Sequence, residues 1–122
     1  MYPIKLLAII AVALLLHLTL GWAWTFAAGI AAGTWHGRGG WRLGAMAVGI
    51  DWGLLMIYSY AVDARAVHLM TRTLGGILGN LPFYAVVVST LFIGIILGGM
   101  GGGVGTHLRY LLTRTGKTRA AA

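Results

Sequence analysis

The chain has 122 residues, 59% of them hydrophobic, with nine Lys/Arg against two Asp/Glu, a formal net charge of +7 and a mean hydropathy of +0.87. Only 9% of residues are charged, where a soluble domain carries charge on roughly a quarter, so an ordinary water-soluble domain is excluded. The lack of cysteine removes disulfides, thiolate metal sites, thiol nucleophiles and iron–sulfur clusters, and two acids cannot supply a carboxylate metal cage together with a general acid and base.

Uncharged stretches run from Leu6 to Gly37 and from Thr73 to Leu108, and a third from Leu43 to Val62 is broken only by Asp51. Each is long enough to cross hydrocarbon, which takes about 20 apolar residues as a helix. The expected fold is therefore all-α and membrane-integral: a small bundle of four, alternatively three, transmembrane helices plus a short interfacial amphipathic helix.

The first stretch is too long for one helix across a core of about 30 Å and barely sufficient for two. Its middle reads Gly21-Trp22-Ala23-Trp24, where Gly suits a turn and Trp prefers the membrane interface, so the stretch divides into Ile4 to Leu20 and Trp24 to His36. Leu43 to Ala61 forms the third span. From Asp63 to Asn80, Ala64, Val67, Met70, Leu74 and Ile77 recur at helical spacing among Arg65, His68 and Arg72, the pattern of a helix lying in the interface. Pro82 marks a helix start, and a fourth span is expected from Phe83 to about Val104. Residues 1–112 then make one transmembrane domain, and 113–122 a basic, flexible cytoplasmic tail.

Cytoplasmic loops collect Lys and Arg. Four spans with both ends inside place Lys5, Arg38, Arg42, Arg109, Arg114, Lys117 and Arg119 in the cytoplasm and leave only Arg65 and Arg72 outside. Three spans do nearly as well on the same count. The basic residues cluster at the ends of apolar runs, which points to anionic lipid headgroups and away from nucleic acid; Arg38, Arg42, Arg109, Arg114 and Lys117 are the expected headgroup contacts. A bacterial plasma membrane is the expected location.

Asp51, between Ile50 and Trp52, lies near the middle of the third span. A carboxylate at that depth costs roughly 2.5 to 3.5 kcal/mol, so it must be paired, protonated or turned to a polar cavity. It is either a proton or cation site or a polar tie between helices, with Thr19, Thr25, Ser89 and Tyr58 as candidate partners. His17 is the histidine at useful depth, and can serve as the partner of Asp51, a haem ligand or a packed core residue. His36, His68 and His107 fall near interfaces, which leaves a bis-imidazole haem site without its second ligand; no cofactor is assigned.

Gly98 to Gly105 contains six glycines in eight positions, which would cost a helix roughly 1 kcal/mol each relative to alanine. Gly94, Gly98 and Gly102 are spaced by four, as are Gly99 and Gly103, so these five residues are read as a face for close helix packing. The other reading of the run is an unwound segment that lines a path. Gly29 and Gly33, and Gly49 and Gly53, are thinner versions of such a face. Finally, His36-Gly37-Arg38 and His107-Leu108-Arg109 echo one another at two span ends.

Three function classes follow. The first is a non-enzymatic accessory subunit, docking through its glycine faces onto other membrane subunits or copies of itself. The second is a small homo-oligomeric channel or transporter using Asp51 and His17. The third is a haem- or quinone-associated membrane anchor.

Overall fold

The computed structural model describes residues 2–120, with side chains for residues 2–114. Five α-helices follow one another: α1 (Tyr2–Leu20), α2 (Thr25–His36), α3 (Gly40–Val62), α4 (Ala64–Ile77) and α5 (Phe83–Ala120), with a 3₁₀ turn at Trp22–Trp24 before α2. There is no strand among the described residues.

Three of these helices, α1, α3 and α5, are long and apolar enough to cross a membrane. The segment expected as the second of four spans is only the 12-residue α2. At 1.5 Å per residue it covers about 18 Å, well short of a 30 Å hydrocarbon core. The last span also differs from expectation. Its helix does not stop near Val104 but continues unbroken through the glycine run to Ala120, so the unwound-segment reading of Gly98–Gly105 is corrected.

The turns follow from local chemistry. Gly37 and Gly39 adopt φ of +71° and +83° in the tight α2–α3 turn, a region closed to most side chains. The α3–α4 corner is set by Asp63, whose carboxylate accepts the Ala66 N–H at 2.9 Å and so caps the first turn of α4. The loop before α5 folds back, with Leu81 N–H donating to Gly75 O at 2.9 Å.

α1, α2 and α3 alternate in direction along the chain, while α2 and α5, packed side by side, run parallel. Tyr2 stacks edge-on against His36 at 5.6 Å and Lys5 lies 5.7 Å over Trp35, so the start of α1 meets the end of α2. Gly40 faces Thr106, Gly44 faces Gly98 and Trp52 faces Gly94, so α3 and α5 are antiparallel. Lys5, Arg38, Arg42 and Arg109 consequently gather at one end of the bundle, and Arg65 and Arg72 on α4 at the other.

Glycine sets the spacing of α2, α3 and α5. A Cβ on Gly29 would sit 2.7 Å from Gly98 O, and one on Gly40 would sit 2.6 Å from the Cα of Gly33. Without side chains the backbones touch directly, the close approach by which helices associate where no hydrophobic drive separates lipid from protein. Against this backbone-on-backbone contact, Ile9 and Ile10 of α1 pack with Ala32, Leu43 and Ala47 in the small buried core.

Candidate functional site

The helix directions bring the outer part of α1 against the middle of α3. Nδ1 of His17 lies 3.2 Å from Oδ2 of Asp51, the spacing of an N–H donated to a carboxylate. Asp51 is fully buried, and its Oδ1 has no hydrogen-bond partner. The other partners expected for Asp51 are engaged elsewhere: Thr19 donates to Leu15 O, Thr25 to Trp22 O and Ser89 to Ala85 O, while Tyr58 is exposed.

A tryptophan supports the pair from its cavity side. The Trp52 indole is tilted against the His17 ring with centroids 5.6 Å apart, and its Nε1 reaches Thr25 Oγ1 at 3.5 Å. Room for that indole comes from Gly94, where a Cβ would lie 2.8 Å from Trp52 Cγ. Thr25 in turn ties the α1–α2 turn through its 2.6 Å bond to Trp22 O. Residues from three helices thus hold the imidazole of a fourth in place.

His17, Trp22 and Trp52 line a partly open cavity of about 590 Å³. Its walls come from α3 and α5 and its far side from α4, through Val67, Met70 and Leu74. The lining is mainly apolar, with Ser59, Thr71 and Thr90 as further polar residues. Volume, apolar walls and a few convergent polar groups are the usual attributes of a small-molecule site. Asp51 itself stands behind His17, so the imidazole is the group through which the carboxylate meets the cavity.

The glycines divide differently from their spacing in sequence. Gly94 contacts α3, Gly98 and Gly102 touch both α3 and α2, and Gly101 and Gly105, outside the expected face, contact α2 at Phe26 and Ile30. Gly99 is in ordinary contact with Ala45 at 3.5 Å, and Gly103 has nothing within 4 Å, which removes it from the intramolecular face. On the facing helices the closest contacts are made by Gly29 and Gly33 of α2 and by Gly40 and Gly44 of α3, the last two outside the Gly49 and Gly53 stripe read on that span.

Among the basic residues, Arg109 has a role inside the chain. Its Nη1 donates to the carbonyls of Thr34 at 3.2 Å and Trp35 at 3.0 Å, groups left unpaired at the end of α2. The two echoed span ends are therefore neighbours, with Arg109 of one completing the other. Arg42 lies over the Trp41 ring at 5.3 Å, Arg38 is exposed in the α2–α3 turn and Arg114 is exposed on α5. Lys117 lies outside the residues whose side chains are described.

No second histidine shares the cavity with His17. His36 packs on Tyr2, His68 lies against Phe83 and Tyr60, and His107 approaches Gly103 O. Comparison with known protein families, with curated proteins and with solved structures gave no match to this chain.

Proposed function

We propose that this protein is a small, non-enzymatic membrane transporter that carries protons through His17 and Asp51. The observation that carries the reading is a fully buried carboxylate, one oxygen unpaired, bonded to an imidazole that lines a cavity of about 590 Å³. Ionisable groups within a membrane are costly and mark proton or ion pathways, and an imidazole–carboxylate pair can take up or release one proton without leaving its site. The cavity stands on the α4 side of the pair, while glycine contacts close the half of the bundle towards Lys5 and Arg109. A space on one side with tight packing on the other suits a carrier better than a permanently open channel.

In this reading α2 acts as a half-length fourth member of the bundle, and the basic end faces the cytoplasm of a bacterial plasma membrane, as the excess of Lys and Arg there favours. Docking of an accessory subunit through its glycine faces has less support, because α2, α3 and α5 already occupy those faces for one another. A haem anchor lacks the second imidazole at the depth of His17.

The test is proton uptake into vesicles containing the purified protein, driven by a potassium diffusion potential and followed with an entrapped pH-sensitive dye. The wild-type protein should acidify the lumen, and Asp51→Asn and His17→Gln should abolish uptake while melting within a few degrees of wild type. Uptake retained in Asp51→Asn, or no uptake by the wild-type protein, would refute the reading.

A further inference from the structure

Arg65 and Arg72 are the only Lys or Arg between Arg42 and Arg109, and both line the same cavity, of about 460 Å³, beside α4. His68, one turn from each along the helix, lines it as well, as do Asn80 and Phe83 from the following loop and helix. This cavity is separate from the one above Asp51: Val67, Met70 and Leu74 of α4 face that space, and Arg65, His68 and Arg72 face this one.

No carboxylate among the described residues is paired with the cluster. The chain has two acids; Asp51 is buried against His17, and Asp63 accepts the Ala66 N–H as the cap of α4. Among the described residues neither guanidinium is in an ion pair. Other contacts hold the site in shape. His68 stacks on Phe83 with centroids 4.7 Å apart and lies 3.5 Å from the Tyr60 hydroxyl. The Leu81–Gly75 hydrogen bond folds the loop back, and Asn80 takes a left-handed backbone conformation, φ 67°, beside the arginines. Asparagine is among the few residues that accept this conformation, and its amide brings a hydrogen-bonding group to the cavity.

Two unpaired guanidiniums, an imidazole and an amide facing one concavity at the edge of the membrane match the charge and hydrogen-bonding needs of a phosphate group, for which arginine is well shaped. We propose that this cavity binds a phosphate-bearing anion, taken either from the headgroup of an anionic lipid or as free phosphate from the water outside. It also explains why positive charge is kept at the end of the bundle where basic residues are otherwise absent. The proposal does not depend on proton transport at His17 and Asp51.

The test uses the full-length protein in non-ionic detergent, with thermal stability titrated against short-chain phosphatidylglycerol at fixed ionic strength. Removing both charges in Arg65→Gln/Arg72→Gln should weaken the apparent affinity about thirtyfold. Lys5→Gln, at the other end of the bundle, should change it less than about twofold. Competition by sodium phosphate, matched against sodium chloride, would assign the site to free phosphate; absence of competition would assign it to the headgroup, and both support the site. Wild-type affinity in Arg65→Gln/Arg72→Gln, or an equal loss in Lys5→Gln, would overturn it. If the double variant fails to melt cooperatively, the single variants Arg65→Gln and Arg72→Gln should each lose about fivefold, and unchanged affinity in both would overturn it equally.

Discussion

Replacing Gly98 and Gly103 by alanine, one at a time, should move stability in opposite directions, although both residues belong to the same glycine run. Alanine is the better helix former by up to about 1 kcal/mol, and that gain is available at either position. At Gly103 the new methyl has nothing within 4 Å, so the gain stands alone and the variant should be as stable as wild type or up to about 1 kcal/mol more stable. At Gly98 the methyl would fall 2.7 Å from Val48 Cβ and 2.8 Å from the carbonyl carbon of Gly44, and closer still to the Gly44 oxygen. These atoms belong to the α3 backbone or lie next to it and cannot rotate away, so α3 and α5 must part by roughly 1 Å, a gap that forfeits about half of each van der Waals contact along the seam. Overpacking of this kind costs about 1–3 kcal/mol, which leaves a net loss of up to about 2 kcal/mol after the helix gain. Thermal unfolding of the purified protein in detergent, followed by tryptophan fluorescence, reads the difference directly. If Gly98→Ala melts at or above the wild-type temperature, or Gly103→Ala loses as much as Gly98→Ala, the glycine-set spacing of α3 and α5 is wrong.

Two further outcomes are expected. A cysteine at Ala66 should react with a membrane-impermeant maleimide from outside intact cells, and one at Thr113 only after permeabilisation; equal labelling of the two would contradict the proposed orientation. Arg109→Met should remove both donors from the carbonyls of Thr34 and Trp35, so the amides at the end of α2, including the Gly37 N–H bonded to Gly33 O, should exchange hydrogen roughly tenfold faster while those of α4 stay unchanged. Unaltered exchange around Gly37 would show that Arg109 does not cap α2.

Composition and hydropathy alone were enough to place this chain in a membrane as a helical protein, because the cost of unpaired backbone in lipid leaves a long apolar segment little choice but helix. The divisions at Gly21, Gly37 and Pro82, and the amphipathic character of α4, were legible for a similar reason: turn residues and helical periodicity are local signals. Asp51 and His17 stood out individually, since a polar group in an apolar run is visible without any fold. That they touch was only one option among several until the packing of the bundle set the depth of α1 against α3, which run parallel. Spacing also misassigned part of the glycine face. A repeat of four identifies a stripe on a helix but not the neighbour it meets, and α5 meets two, so Gly101 and Gly105 serve α2 while Gly103 serves neither. The cavity beside His17, the room Gly94 leaves for Trp52 and the capping of α2 by Arg109 unite residues far apart in the chain, and only the tertiary structure decides them, because each depends on how helices are placed against one another and not on any one helix's own sequence.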